Sequence, residues 1–258
     1  MTLYPYSDEL KSSFLFSKIF AAIHACLLMR KEVLNQLKKE DFDLIQCEYL
    51  HTLNFIPNLR QFPSLLTHHE VLSLVRERNF RSSRGLGQRV SRFIKWKLMS
   101  AYEKRVCRKV KSVVALSTVD QAYLKLRLKV PEPRLARTGV DTEYFQPSPG
   151  SEEIPGSLVF VGYFKHPPNV EALHYFFRRI WPRVLEAVPE ATITIIGRFA
   201  PPEVLAYSQR DVVTFADFVP DLRPYLQQHA LFVAPIISGA GLRGKILEAL
   251  AMGKAVVA

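Results

Sequence analysis

The sequence predicts an α/β chain of two domains, and three observations carry that expectation. Short apolar strands alternate with helical segments in both halves, a proline- and glycine-rich stretch near residue 146 separates the halves, and a 48% apolar composition over 258 residues is ample for two cores. Strands separated by helices favour parallel pairing, because a parallel connection needs a crossover.

In the first half, Ser12 to Lys39 has the apolar spacing of an amphipathic helix, and Asp43 to Tyr49 (DLIQCEY) reads as a strand after it. Ser64 to His69 (SLLTHH) and Ser112 to Ser117 (SVVALS) are two further strands, separated by a basic helical segment. The stretch GVDTEYFQPSPGSEEIPGS, Gly139 to Ser157, breaks periodicity and reads as an interdomain connection, which places the domains at residues 1–145 and 146–258. Alternation then restarts with a strand at Leu158 to Val161, a helix from about Asn169 to Ala187, and strands at Thr192 to Ile196 and near Val212 to Phe215. A helix at Leu222 to Gln228, a strand at Leu231 to Ala234, a helix from Lys245 and a final AVVA strand complete the pattern.

Charge and cysteine content narrow the function classes. Cys26, Cys47 and Cys107 are far apart without metal-type spacing, which fits a reducing compartment, and cytoplasm is the expected location. The longest apolar run, Phe14 to Met29, is interrupted by Lys18 and His24 and is too short to cross a bilayer, so membrane association would be peripheral, at the inner face. Residues 76–111 hold 13 lysines and arginines against Glu77 and Glu103, an excess equal to the +11 of the whole chain. Arg89, Arg92, Lys95, Trp96, Met99, Lys104 and Arg108 recur there at roughly helical spacing, which suits either an anionic lipid surface or a solvated helix face. No nucleic-acid recognition module accompanies the charge, and nucleic acid is not an expected partner.

The chemistry concentrates in LFVAPIISGAGLRGKILEALAMGKAVVA, Leu231 to Ala258: an apolar strand, a glycine-rich loop and a helix. Loop glycines admit a ligand close to backbone N–H groups, and a helix start favours negative charge, so the arrangement suits a phosphate or pyrophosphate. Gly239, Gly244 and Lys245 also satisfy the phosphate-loop spacing of triphosphatases, but Ile246 stands where that motif needs a magnesium-binding hydroxyl. Arg243 and Lys245 can clamp phosphates while Glu248, three residues beyond Lys245, accepts from ribose hydroxyls; a surface salt bridge between Lys245 and Glu248 is the plainer alternative. Gly162 and Gly197 each follow a strand, where either a ligand or a tight turn explains a glycine. Thr67-His68-His69-Glu70 ends a strand of the first half, where a histidine serves proton transfer or sugar binding, or simply caps the turn. No catalytic serine triad, zinc spacing or metal-carboxylate cluster can be assembled, so no metal is expected.

Four ordered blocks resemble the glycosyltransferase group 1 proteins, also called glycosyltransferase family 4, of the GT-B fold. They are GVDTEYFQP at Gly139 to Pro147, FVGYFKHPPNVEAL at Phe160 to Leu173, PDLRPYL at Pro220 to Leu226 and GAGLRGKILEALAMGKAVVA at Gly239 to Ala258. The resemblance implies two Rossmann-like domains facing a cleft, with a nucleotide diphosphate sugar held mainly by the C-terminal one through Gly162, Gly239, Gly241, Arg243, Lys245 and Glu248. It implies that Glu248 is the second acid of an E-x7-E motif at the donor ribose, and that His69, with His68 the other register, lies near the transferred sugar as the catalytic histidine. It also implies transfer with retention, without metal or cofactor, to a glycan or lipid-linked acceptor in polysaccharide synthesis.

Three positions depart from the family pattern: Ala240 replaces the first acid, Asp217 replaces a glycine, and Thr138-Gly139 replaces Asn-Gly. The opening strand and closing helix of the family have no counterpart in the sequence, so a fragment truncated at both ends, or a degenerate copy that binds donor or membrane without turnover, is also expected. A phosphate-loop triphosphatase and a basic nucleic-acid binder remain as alternatives of other classes.

Overall fold

The computed structural model describes residues 15–56, 59–148, 150, 152–209, 211–238 and 243–258, and the chain divides into two compact units at Ala136–Arg137. The first unit runs α1 (Leu15–Lys39), β1 (Ile45–Glu48), β2 (Ser64–His68), α2 (Leu72–Arg81), α3 (Leu86–Cys107), β3 (Ser112–Ala115), α4 (Thr118–Leu126) and β4 (Arg134–Leu135). Its four strands pair in parallel in the order β1-β2-β3-β4. Of the helix expected from Ser12, residues 12–14 lie outside the described residues.

Strand periodicity fixes which side chains reach the core. In β2 the alternate residues Ser64, Leu66 and His68 are buried, and Leu66 packs among Leu53, Val113, Ala115 and Leu124. The basic segment forms two helices, broken at Ser82 to Gly85, where Gly85 caps α3 without a side-chain bond. α4 has a side-chain N-cap that the sequence reading passed over: Ser117 Oγ accepts from the Asp120 amide at 3.0 Å and donates to its carboxylate at 2.6 Å.

The start of α2 depends on a residue from α3. Its own N-cap, Val71, offers no acceptor, and the fully buried Glu103 supplies one, taking the amides of Leu72 at 2.8 Å and Ser73 at 3.0 Å.

The second unit runs β5 (Ile154–Val161), α5 (Pro167–Tyr175), α6 (Trp181–Ala187), β6 (Thr192–Ile196), α7 (Pro202–Leu205), β7 (Val213–Ala216), α8 (Arg223–Gln228), β8 (His229–Val233), α9 (Gly244–Ala251) and β9 (Ala255–Val257). All pairings are parallel, in the order β7-β6-β5-β8-β9. Helices cover both faces. Leu158 and Phe160 of β5 join Trp181, Phe176 and Ile195 in one core, while Val159 joins Phe232, Leu226, Ala249 and Met252 in the other. α5 and α6 are joined by a π-helical turn, Phe176–Ile180, just before Pro182, which has no N–H to donate to a carbonyl four residues back.

The unit boundary falls upstream of the one expected at residues 145/146, because the connecting segment packs with the second unit. Phe145 joins the Phe232 core, the Arg223 guanidinium lies 3.9 Å from the Tyr144 ring centre, and Gln227 donates to the Ser148 carbonyl at 3.3 Å. Among the described residues no helix is long and apolar enough to cross a membrane, and the three cysteines are free thiols.

Replacing Glu103 by alanine strands two buried amides and is expected to lower stability by about 3 kcal/mol in urea unfolding followed by circular dichroism. Glu103→Gln, which keeps one acceptor oxygen, should lose roughly half as much; equal losses would show that the cap is not what the residue supplies.

Candidate functional site

In the second unit the chain moves outward from β5 to β6 and β7, then returns across β5 to β8 and β9. The strand order therefore reverses between β5 and β8, and in open parallel sheets the crevice at the carboxyl ends of such a pair is where ligands bind. A cavity of about 160 Å³ lies there, lined by residues including Val161 of β5, Asn169 of α5, Val233 of β8 and Arg243, Gly244 and Lys245 at the start of α9.

Of the predicted residues, Arg243 and Lys245 line this crevice. Arg243 precedes α9 as its N-cap and donates to the Ser238 carbonyl at 3.0 Å, while Ser238 Oγ donates to Glu171 at 2.5 Å. Lys245 and Glu248 follow on successive turns of the helix, both half-buried. Among the described residues no ion pair or hydrogen bond joins them, so the salt-bridge alternative is not realised. Burial pushes the Lys245 ammonium down and the Glu248 carboxyl up from their ordinary values, each only partly offset by the other's charge. Ile246 packs against the Phe232 core, so the position that a triphosphatase needs for its metal hydroxyl is apolar. Gly239 and Gly241, and Ala240 between them, lie outside the described residues.

Gly162 stands directly after the cavity-lining Val161, and its lack of a side chain has a steric cause. A Cβ there would lie 2.7 Å from the Phe160 ring, and one on Gly197 would lie 1.7 Å from the Gly162 carbonyl oxygen. The turns after β5 and β6 thus pack backbone against backbone.

Around the same edge the sequence reading missed a set of exposed rings. Tyr163, Phe199 and Phe218 follow β5, β6 and β7, and are 47%, 48% and 66% exposed. Lys165 Nζ lies 4.0 Å from the Phe199 centroid, and the Arg198 guanidinium lies 5.1 Å from Phe199 and 5.5 Å from Phe218. Phe199 has φ 61°, a left-handed conformation that is costly for an aromatic residue and that recurs at ligand-binding edges. Rings beside cations suit a planar, anionic ligand. A larger groove of about 900 Å³ beside Arg178, Arg179 and Arg183 runs along the π-helical turn and α6, away from the strand ends.

In the first unit the two histidines separate by strand parity. His68 is buried, 3.6 Å from Glu103, and desolvation lowers its pKa to about 4, with its Nε2 lacking a hydrogen-bond partner. His69 is half-exposed: its Nε2 meets Glu48 Oε2 at 2.5 Å, and its ring stacks on Tyr49 with centroids 4.3 Å apart. Partial burial alone would raise the Glu48 carboxyl, but hydrogen bonds from His69, Gln46 and Thr67 hold it below its usual value. Glu48 and Tyr49 were not singled out from sequence; the β1–β2 register that aligns Glu48 with Thr67 creates the pair. The accessible, oriented histidine is His69.

Residues 15–144 match a family model described as Glycosyltransferase Family 4, and residues 155–258 match one described as Glycosyl transferases group 1. Among solved structures, the chain is similar to sucrose-phosphate synthase from Thermosynechococcus elongatus, with TM-score 0.69 and 20% identity over 95% of this chain and 62% of that one. It is also similar to Anabaena Alr3699/HepE crystallised with UDP and glucose, with TM-score 0.62 and 15% identity over 88% of this chain and 61% of that one. At these identities the likeness is one of fold, the two parallel sheets of GT-B glycosyltransferases, and the chain spans about three fifths of the length of either protein. No curated protein sequence matches at a significant level.

His68 generates a pH dependence of stability. Its folded value near 4 lies below the ordinary 6.5, so the unfolded chain binds the proton first and stability falls as pH drops from 6.5 towards 4, by up to about 3 kcal/mol. The upward shift of Glu103 acts in the opposite sense, above its ordinary 4.5, and offsets part of the fall. Urea midpoints measured across this window should decline for the native chain and decline less for His68→Gln; parallel curves would remove His68 as the cause.

Proposed function

Since the chain belongs to glycosyltransferase family 4, we propose that it serves to transfer a sugar from a nucleotide diphosphate donor to an acceptor hydroxyl, with the donor held by the second unit. The observation that carries this reading is Lys245 lining the β5/β8 crevice with Glu248 three residues further along α9, both half-buried and not paired with one another. Arg243 and Lys245 would face the diphosphate, Glu248 would accept from the ribose hydroxyls, and the ring-and-cation edge at Phe199 and Phe218 supports a place for the base.

In the step itself the bond between the anomeric carbon and the diphosphate oxygen breaks while the acceptor oxygen bonds to that carbon. The acceptor proton goes to a departing phosphate oxygen, with retention of configuration. Negative charge grows on the diphosphate, and fixed cations in a half-buried site stabilise it without a resident metal or cofactor. His69, oriented by Glu48, is the first unit's candidate for the sugar side. The acceptor would be a glycan or lipid-linked hydroxyl in polysaccharide synthesis at the inner membrane face, with residues 76–111 towards anionic lipid. A donor-binding chain without turnover is the second reading, favoured by Ala240 where the family pattern has an acid.

Calorimetry with UDP-, GDP- and ADP-sugars should find one donor that binds, and the double variant Arg243→Ala, Lys245→Ala should weaken it roughly 100-fold. Glu248→Gln should weaken it about tenfold, through the ribose. If no nucleotide sugar binds, the reading is wrong; if the double variant binds unchanged, the site is elsewhere.

A further inference from the structure

α3 is 22 residues long, about 33 Å, yet its buried residues, Glu103, Val106 and Cys107, all fall within its last five positions. Glu103 bonds the amides of Leu72 and Ser73, which come just after β2, so α3 draws level with the carboxyl end of β2 only at residue 103. The preceding turns extend beyond that level. They are braced by α2 through Phe80, which lies 5.5 Å from Phe93 and 5.6 Å from Trp96 between ring centroids, and by the Trp96 Nε1 bond to Tyr123 Oη at 3.1 Å.

A neighbouring face of these turns is mainly apolar and uncovered; the one cation within it, Lys97, bends back so that its Nζ lies 4.3 Å from the Trp96 centroid and 5.4 Å from that of Phe93. Leu86, Val90, Ile94 and Leu98 recur at four-residue steps, are 82%, 53%, 51% and 67% exposed, and cover an arc of about 120° on the helix. Phe93 borders the arc, 41% exposed. From Leu72 to Leu98 the sequence has eight lysines and arginines against one acid, Glu77, which is buried and bonded to Arg81 and Arg127. Among the described residues this hairpin therefore turns no carboxylate to solvent.

We propose that the α2–α3 hairpin docks on an anionic lipid surface, with Leu86, Val90, Ile94 and Leu98 entering the boundary between headgroups and acyl chains and the flanking Arg84, Arg89 and Lys95 meeting lipid phosphates. Charge selects this occupant. A second copy would bring the same cationic excess against itself, and a nucleic-acid backbone would leave the apolar ridge in water, whereas a headgroup–acyl boundary takes both. The inference gives a physical element to the membrane side of the proposed function and is independent of donor binding: vesicles read one and calorimetry the other.

Co-sedimentation of the full chain should recover at least about tenfold more protein with phosphatidylcholine–phosphatidylglycerol vesicles than with phosphatidylcholine alone. Recovery on the anionic vesicles should fall about tenfold or more both for Leu86→Ser/Ile94→Ser/Leu98→Ser and for Arg84→Gln/Arg89→Gln/Lys95→Gln, with circular dichroism and nucleotide-sugar binding unchanged. Equal recovery on both vesicles, or none, overturns the proposal. So does loss in the charge variant alone, which would mean adsorption without insertion. So does a dimer in light scattering that the apolar variant makes monomeric while the native chain ignores vesicles.

Discussion

The second unit is organised around one constraint, the central position of β5. A parallel sheet must be wound outward from its first strand, and to fill both sides of β5 the chain has to return across it after β7. The connections after β5 and β8 then leave towards opposite faces, and a crevice opens between them. On the β6 side the turns pack closely, and the Gly162 carbonyl occupies the place a Gly197 side chain would need. Glycines at these two turns consequently report tight packing, while Arg243 and Lys245, at the start of α9, line the cavity at the β5/β8 crevice.

The first unit relies on a different device, a carboxylate withdrawn from solvent. Glu103 is the sole acid of α3, and by turning inward it satisfies the amides of α2 and fixes the turn that follows β2. Strand parity buries His68 beside Glu103 and leaves His69 outside, against Glu48 and Tyr49. The outer surface of α3 is left with cations, apolar side chains and neutral polar residues such as Gln88 and Ser91, so turning this one carboxylate inward leaves the face basic.

Period-two and period-3.6 patterns were readable where burial is strong. β6 spans Thr192 to Ile196 as expected, and the parallel alternation of both halves follows from strands too far apart in sequence to form hairpins. The neighbourhood of Arg243 and Lys245 at one strand end was legible because the two are local in sequence, and so was the resemblance of four ordered blocks. Long-range features were not. Glu48 becomes a partner of His69 only through the β1–β2 register, Glu103 becomes a cap only through the packing of α3 on α2, and Tyr163, Phe199 and Phe218 meet only because three successive strands end at one edge. The connection near residue 146 looked like a free linker from its prolines, yet Phe145 and Tyr144 are bound by the second unit, since periodicity says nothing about where a lone aromatic residue docks.

Lys245 and Glu248 bear on which anion the crevice suits. Three residues apart on a helix, opposite charges ordinarily meet at the surface, where the pair contributes a few tenths of a kcal/mol, about 0.2–0.5. Here partial burial works against both charged forms, and because the two groups do not close on each other, each offsets only part of the other's lost hydration. Inorganic phosphate would satisfy Lys245 and Arg243 but be repelled by the nearby carboxylate. A ligand that bears its negative charge at one end and hydroxyl donors at the other meets both demands at once, and a nucleoside diphosphate has that distribution. The apolar Ile246 between them packs with the Phe232 core, so this helix start lacks the hydroxyl with which a phosphate-loop triphosphatase binds its metal.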